Sequence, residues 1–431
     1  WRASEQLNPA NKLPNNRVII SYDRNSRAGV PFRYGSLTAD HQLVLNNDEV
    51  NYLRGQRGQE QPAGALRRRP TTDGLLGDIV NSSPVYVGDA RGLHRDQAPY
   101  PETDLYSDFV DDQEGRQPMV YVGANDGILH GFDAMTGEEL FGFVPNKVID
   151  GTQTYHNDLD EFTSPFYQHK YFVDLSPRIS DAYVRPSSTS IGRDWSTILL
   201  GGLGAGGKGY FALNVTDPAG SFTTEANASN VVLWEFTDED DISPNPTLTD
   251  PLGAPVKDLG YALSLPSLAM SNVPDTDGNE WVAIFGNGPN STAGVAKLFV
   301  LFMDRGLDGW GAGDFIKLDT GRGVPVAPDQ LAGYPNGLGT PALVDTDLNG
   351  TVDWVYAGDR LGNLYRFDLC DRDTTTQECS TNPSDWTVTR LFTATYNDGG
   401  VERLQPILSQ PLVIKHPDED GFLVIFGTGS Y

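Results

Sequence analysis

Nine consecutive residues carry the side chains that a calcium loop requires. In the segment 345–353, oxygen-bearing side chains occupy positions 1, 3, 5 and 9, and glycine occupies position 6. Ca²⁺ takes roughly 6–8 oxygen ligands at about 2.3–2.6 Å, and a chain wrapped around it also offers the main-chain carbonyl of position 7. The spacing therefore predicts a calcium site. Its expected ligands are Asp345, Asp347, Asn349, Asp353 and the main-chain oxygen of Thr351.

The end of this loop differs from that of an EF-hand. Position 12 is Tyr356 and not a bidentate glutamate, so Asp353 has to complete the shell of the ion. Residues 354–356 are Trp-Val-Tyr, which is typical of a strand. We therefore expect the site on a β-hairpin. The alternative is a metal-free turn rich in Asp, Asn and Gly.

Two shorter acidic turns resemble the same hairpin elsewhere in the chain. Asp275 and Asp277 begin the first, but the few residues that follow leave no room for a distal carboxylate to reach an ion. A second ion at Asp275 and Asp277 stays open on this evidence. The second turn, residues 418–421, is predicted to be an ordinary acidic turn.

The composition indicates a large folded protein, and its negative charge disfavours polyanionic partners. The 431 residues are 38% hydrophobic and 21% charged, which excludes a disordered acidic tail. A net charge of −27 makes nucleic acid or an anionic lipid surface an unfavourable partner. No apolar run reaches the ~18–20 residues of a membrane helix.

Because the chain begins at Trp1 without an initiator methionine or signal peptide, we expect a piece of a longer protein.

The chain has two cysteines, Cys370 and Cys379, on either side of a polar stretch. Two cysteines without a nearby histidine do not make a zinc site. An exported calcium protein meets oxidising conditions, so we expect a Cys370–Cys379 disulfide in preference to two free thiols.

Short apolar runs separated by glycine and proline predict strands along most of the chain. A unit recurs in which a proline step opens one strand, a second strand ends in glycine, and a turn leads to a third strand. The opening strands are 83–88, 176–179, 265–268, 340–344 and 410–414, and the second strands are 119–123, 197–201, 282–286, 355–358 and 424–427. Segment 38–54 is the clearest helical candidate.

Repeated strand-turn-strand-turn-strand units predict an all-β propeller. The opening prolines lie 70–93 residues apart, more than the ~40–45 residues of a compact blade, so each unit carries insertions or spans more than one blade. Segments 157–163 and 238–258 are the candidate insertions. A pair of β-sandwiches is the alternative architecture.

Residues 83–88 and 119–145, together with the Gly339-Thr340-Pro341 step before the calcium loop, resemble the C-terminal propeller of the PilY/PilC family of type IV pilus proteins. The resemblance extends from about residue 74 onward. It implies a modified, seven-bladed, quinoprotein-like β-propeller at 76–431, with segment 1–75 completing or decorating it. It also implies that the 345–353 loop is the family's calcium loop.

The function that this resemblance implies is assembly of type IV pili, with calcium-dependent antagonism of their retraction. Adhesion, twitching motility and virulence follow from that role. The implied partners are pilins, minor pilins and a host surface, and the implied location is the outer membrane or cell surface, reached through the periplasm. Integrin binding is not supported, since no Arg-Gly-Asp triplet occurs. We expect residues 355–367, with Asp359, Arg360 and Asn363, to carry a surface that changes with calcium.

Three catalytic interpretations compete with this one. Segment 202–209 matches the glycine spacing of a P-loop and of a dinucleotide fingerprint, but a strand follows where a helix is needed. Segment 132–141 resembles the docking motif of quinoprotein dehydrogenases, although Phe141 replaces the docking tryptophan. The six histidines are scattered, and His156 and His169 are predicted to have surface or hydrogen-bonded roles and not catalytic ones. We therefore expect a binding protein and not an enzyme, with a quinoprotein dehydrogenase or a purely structural propeller as alternatives.

Overall fold

Strands dominate the structure, a computed structural model that describes residues 1–7, 14–70, 74–90, 92, 94–149, 158–241, 255–323, 335–372, 375–376 and 378–429. The longest α-helices among these residues have seven residues. None of the described helices has the length and apolar character needed to cross a bilayer. The expectation of an all-β chain with little helix is confirmed.

The strands are β1 (Ile19–Asp23), β2 (Ala28–Pro31), β3 (Val85–Val87), β4 (Met119–Gly123), β5 (Leu129–Asp133), β6 (Glu139–Val144), β7 (Arg178–Val184), β8 (Asp194–Gly202), β9 (Gly209–Asn214), β10 (Val232–Thr237), β11 (Ser267–Asp275), β12 (Gly278–Gly286), β13 (Lys297–Phe302), β14 (Phe315–Asp319), β15 (Ala342–Val344), β16 (Trp354–Gly358), β17 (Asn363–Asp368), β18 (Thr387–Thr393), β19 (Thr395–Asp398), β20 (Val401–Leu404), β21 (Leu412–Lys415) and β22 (Phe422–Ile425). The α-helices are α1 (Ala3–Gln6), α2 (Ala39–Val44), α3 (Asn47–Leu53), α4 (Tyr106–Asp112), α5 (Leu159–Thr163), α6 (Pro218–Ser221) and α7 (Ala228–Val231). Short 3₁₀ turns occupy Pro14–Asn16, Tyr34–Ser36, Asn146–Val148, Glu225–Asn227, Arg305–Asp308 and Pro383–Asp385.

The repeat found in the sequence folds as a four-stranded antiparallel meander. Its sheets have the strand orders β3-β4-β5-β6, β7-β8-β9-β10, β11-β12-β13-β14 and β15-β16-β17-β18, and β21 and β22 form a further hairpin. Every predicted opening and second strand is present, and each four-stranded sheet adds a fourth strand that the sequence pattern did not reveal. Each of the first four repeats thus forms one four-stranded sheet. The residues between its strands and between neighbouring sheets account for the 70–93 residues from one repeat to the next. The seven-blade count stays a prediction.

Two further strands extend the first sheet. β1 pairs in parallel with β6, with Ile19 opposite Gly142, and β2 pairs antiparallel with β1. Sequence analysis missed both strands, because a parallel pairing over more than a hundred residues leaves no local pattern. The predicted helical segment 38–54 forms α2 and α3. Asn46 separates the two helices, since its side chain caps α3 together with Glu49.

The candidate insertions are described only in part. Residues 159–163 form α5. Residue 157 and residues 242–254 lie outside the described part of the chain, so the insertion at 238–258 stays a prediction.

The chain divides into two compact units. The first comprises residues 1–93, 106–235 and 307–309, and the second comprises residues 94–105, 236–306 and 310–431. The core of the first unit includes Ile19, Tyr121 and Phe143, while that of the second includes Val282 and Phe367. The predicted calcium loop lies in the second unit.

A buried ion network holds the N-terminal residues of the first unit to its first sheet. The Arg17 guanidinium donates to both carboxylate oxygens of Glu139 on β6, at 2.6 and 2.8 Å. His130 on β5 lies 2.7 Å from Glu139 through Nδ1 and 3.1 Å from Asp126 through Nε2. Arg17, Glu139 and His130 are each at most 2% exposed. Such buried charges stabilise the fold only while every partner is present.

The network also shifts the pKa values of its members. Burial by itself would lower the pKa of His130, but the carboxylates of Asp126 and Glu139 outweigh it and raise that pKa to about 9. Burial would raise the pKa of Glu139, but Arg17 and His130 lower it to about 2. Both groups are therefore charged at neutral pH.

We expect the stability of the fold to decrease as the pH rises from about 6.5 to 9. The folded-state pKa of His130 lies above its unfolded value, so its contribution is complete below about pH 6.5 and is lost as the pH rises through about 9. His130→Gln should remove on the order of 3 kcal/mol of this pH dependence, measured by urea unfolding. His169→Gln, at an exposed histidine paired with Asp78, should keep the wild-type slope. Equal slopes in wild type and His130→Gln would contradict the assignment.

Candidate metal centre

The predicted calcium loop connects β15 to β16. These strands pair antiparallel, with Val344 opposite Trp354, and the amide of Asp353 donates to the carbonyl of Val344 at 3.0 Å. The first and ninth positions of the loop therefore lie side by side. As expected, residues 354–356 continue as a strand and not as a helix.

Three carboxylates of the loop converge on one point. Asp345, Asp347 and Asp353 each place an oxygen within 4.8 Å of the others. Asp353 has no exposed surface, Asp345 is half-buried and Asp347 is exposed. The cluster is therefore open to solvent at Asp347 and closed at Asp353.

Main-chain amides orient these carboxylates. Gly350 donates to Asp345 at 2.7 Å, Asn349 donates to Asp347 at 3.2 Å, and Thr346 donates to Asp353 at 2.8 Å. These bonds fix the loop in a turn around the cluster. Hydrogen bonds from the loop alone leave carboxylate lone pairs that a cation can use.

The side chain of Asn349, another predicted ligand, makes its hydrogen bonds within the loop. The side-chain oxygen of Asn349 accepts from the amide of Thr351 at 2.8 Å and lies 2.6 Å from the Thr351 hydroxyl. That hydroxyl lies 2.8 Å from Asn272 Oδ1 on β11. Asn349 therefore contacts Thr351 in this conformation.

The charged form of the carboxylate cluster is destabilised when no cation lies beside it. Burial raises the pKa of the Asp353 carboxyl, and the nearby charge of Asp347 raises it further, against the lowering effects of Thr346 and Arg372. A buried acid beside two others is stabilised in its charged form by a bound cation. Carboxylate, amide and carbonyl oxygens form a hard donor set, and hard donors fit Ca²⁺.

The turn at Gly350 depends on a distant segment of the same unit. Gly350 has a φ of +102°, and a Cβ at this position would lie 2.6 Å from the hydroxyl oxygen of Tyr100. Arg95 donates to the carbonyl of Leu348 at 3.2 Å. Sequence analysis missed Tyr100 and Arg95, since they lie some 250 residues from the loop and carry no local signal.

The third repeat supports the other side of the loop. The amide of Val352 donates to the carbonyl of Met270 on β11 at 2.8 Å. Asn272, two residues further along β11, lies against the main-chain oxygen of Val352 at 3.3 Å. Sequence analysis did not predict this support either, because it joins two different repeats.

A disulfide lies behind the buried carboxylate. Cys370 and Cys379 are bonded, which confirms the predicted pairing. Cys379 Sγ lies 3.4 Å from Asp353 Oδ1, and the amide of Leu369 donates to the carbonyl of Asp353 at 2.7 Å. Arg372, two residues after Cys370, forms ion pairs with Asp347 and Asp353 at 2.9 and 3.5 Å.

Comparison with known proteins identifies the family of this chain. The family model described as the PilY1 beta-propeller domain matches residues 76–431. The chain belongs to the PilY1 β-propeller family. The recognition of the family and the propeller fold are both confirmed.

Relatives of the PilY1 family are considerably longer than this chain. The Type IV pilus biogenesis factor PilY1 of Pseudomonas aeruginosa strain PAK is 34% identical over 460 residues, covering 100% of this chain and 34% of that protein. A PilY1 homolog of Xylella fastidiosa strain Temecula1 is 37% identical, covering 88% of this chain and 25% of that protein. The crystal structure of the Pseudomonas aeruginosa PilY1 C-terminal domain has a TM-score of 0.56 at 32% identity, covering 80% of this chain and 59% of that one. The chain spans about a third of the PAK protein.

The two other acidic turns of this PilY1-family chain are tight hairpins. Asp275 pairs directly with Gly278 across the β11–β12 turn, and among the described residues neither Asp275 nor Asp277 belongs to a cluster of potential metal ligands. At the β21–β22 turn, the amides of Asp418 and Glu419 donate to His416 Nδ1. A second ion at Asp275 and Asp277 stays without structural support.

The two segments that resemble catalytic motifs form a hairpin connection and an aromatic packing contact. The glycine-rich segment 202–209 links β8 to β9, as its hairpin interpretation predicts. In segment 132–141, Phe141 stacks on Phe222 at 4.4 Å and Trp1 lies against Gly137. The absence of catalysis stays a prediction.

The histidines give a mixed outcome. His169 is exposed and lies 2.7 Å from Asp78, which fits its predicted surface role, whereas His156 lies outside the described residues. His130, which sequence analysis assigned to no site, is a fully buried member of the ion network in the first unit.

One expectation about the surface is wrong. The sequence predicts a partner surface at Asp359, Arg360 and Asn363, but Asp359 has no exposed surface, Asn363 is 4% exposed and Arg360 is half-buried. The two buried residues are hydrogen-bonded to each other, and Asp359 also accepts from Asn336 and Tyr365. The exposed surface beside the cluster is the apex of the loop, residues 347–349.

We expect Gly350→Ala to destabilise the protein by roughly 1–3 kcal/mol more than Gly400→Ala. Gly400 has a similar φ of +99° with nothing within 4 Å, so the two variants share the backbone strain and only Gly350→Ala meets Tyr100. Denaturant unfolding of both variants measures the difference. Equal losses would show that Tyr100 does not brace the loop.

Proposed function

We propose that this chain is the calcium-binding propeller of a type IV pilus biogenesis factor. The convergence of three carboxylates in the 345–353 loop is the observation that carries the proposal. Asp345, Asp347, Asn349, Asp353 and the carbonyl of Thr351 would hold the ion. Bound calcium would offset two of the three negative charges of the cluster and fix the conformation of the loop.

The chemistry of the loop favours calcium over other common metals. Its donors are oxygens, and the two nearby cysteines form a disulfide, so no thiolate is offered to zinc. A single loop of mixed donors suits the irregular shell of Ca²⁺ better than the strict octahedron of Mg²⁺. The disulfide also fits an oxidising compartment, where calcium is abundant.

The relatives named as type IV pilus biogenesis factors support a role in pilus assembly. We propose that the protein promotes assembly and antagonises retraction, and so supports twitching motility and adhesion. Its partners would be pilins and minor pilins, and an adhesive role would add a host surface. Its location would be the cell surface, reached through the periplasm.

Calcium can regulate assembly only if a partner distinguishes the occupied loop from the empty one. The exposed apex, residues 347–349, lies next to the cluster and contains one of its carboxylates. Binding of the ion changes both the charge and the shape of this apex. We therefore place the partner surface there.

We expect Asp353→Ala to abolish measurable calcium binding and to reduce surface pili, with the protein still folded and exported. Asp353 is the buried carboxylate, so its loss removes a ligand and one of the three formal charges of the cluster. Calorimetry and pilus counts are the measurements, and pili should return when the retraction motor is removed. Asp353→Lys should partly restore pili, because its ammonium replaces the charge of the ion.

Asp277→Ala is the matched control, since it removes a carboxylate from the equivalent turn of the preceding repeat, outside the cluster. It should leave calcium affinity and pili unchanged. Normal pili in Asp353→Ala cells would mean that calcium only braces a hairpin. Turnover with added quinone, an alcohol and a dye acceptor would instead favour the quinoprotein alternative.

Removal of calcium should be a local event. The loop belongs to one hairpin of a large fold, so chelation should increase hydrogen exchange mainly in residues 340–359 and leave the sheets of the first unit unchanged. Exchange measured by mass spectrometry, with and without chelator, tests this. Cooperative loss of protection throughout both units would indicate that the metal is required for folding.

A further inference from the structure

We propose that Arg372 is a built-in competing cation that lowers the calcium affinity of the loop and stabilises the loop when it is empty. This inference rests on the proposed calcium site and concerns its affinity.

The geometry places Arg372 across two of the proposed ligands. Its Nη2 lies 2.9 Å from Asp347 Oδ2 and 3.5 Å from Asp353 Oδ2. These contacts are ion pairs and not directed hydrogen bonds. The Arg372 side chain is 29% exposed, so part of it already contacts solvent.

The charges of the cluster explain the competition. Asp345, Asp347 and Asp353 carry three negative charges, and Arg372 neutralises one of them. A calcium ion that enters must displace the guanidinium or bind beside another positive charge, and both cost binding free energy. The number of ligand charges is one of the features by which calcium loops set their affinity.

The fold holds Arg372 in this position. At the end of β17, the Asp368 carboxylate accepts from the amides of Cys370 and Asp371, at 3.2 and 3.0 Å. Asp371 has a left-handed φ of +39°, and the amide of Ser380 donates to the carbonyl of Cys370 at 2.6 Å. The disulfide therefore anchors the segment that presents the guanidinium beside the buried carboxylate.

The same contact gives the empty loop a counter-charge. Asp353 has no exposed surface, and a buried carboxylate without a cation is strongly destabilising. Arg372 reduces this cost when calcium is absent. Its removal should then affect the empty and occupied loops in opposite directions.

Calcium titration of the full chain by calorimetry tests the inference, with wild type, Arg372→Met, Arg372→Lys and Arg403→Met. Arg372→Met should bind calcium roughly tenfold more tightly, because it keeps the bulk of the side chain without its charge. Arg372→Lys keeps the charge and should stay close to wild type. Arg403→Met removes the same charge from an exposed pair with Asp398 and should leave the affinity unchanged.

Thermal melting gives a second readout. The difference in melting temperature between calcium-loaded and chelated protein should be larger for Arg372→Met than for wild type. Unchanged or weaker calcium binding in a folded Arg372→Met protein would overturn the inference while the calcium site itself stands. Wild type that gives no calcium signal, and so does not differ from Asp353→Ala, would overturn the calcium site and this inference with it.

Discussion

Mutual repulsion among three carboxylates is the constraint on which the interpretation of this protein depends. The antiparallel register of β15 and β16 brings Asp345 and Asp353 together, and the turn between them adds Asp347. The repulsion acts most strongly on Asp353, because this carboxylate has no exposed surface and water screens it least. Arg372 pairs with two of these carboxylates, and the proposed calcium ion would be a second counter-charge.

The surrounding fold makes the constraint effective. A flexible loop would separate its charges, but this one is held by main-chain bonding to β11, by Tyr100 beneath Gly350 and by the disulfide behind Asp353. These contacts come from three distant parts of the second unit. The repeated four-stranded sheets thus provide a rigid frame on which a small acidic loop is kept under electrostatic strain.

Two charge clusters among the described residues differ in how their charges are paired. In the first unit, Glu139 has bidentate contact with Arg17 and a third contact with His130, so its charge is fully paired. In the second unit, Arg372 pairs with two of three clustered carboxylates, Asp347 and Asp353 but not Asp345. Paired charges fix a fold, whereas an excess of one sign is suited to binding an ion.

The sequence by itself determined the local features: the apolar strands of each repeat, the ligand spacing of the 345–353 loop, and the family. These follow from short periods and turn residues, which neighbouring positions encode. Tertiary structure alone decided that β1 joins β6 in parallel, that Asp359 is buried, and that Tyr100, Asn272 and Arg372 surround the loop. Such contacts join segments far apart in the chain, and they arise from packing and charge pairing that no local pattern records.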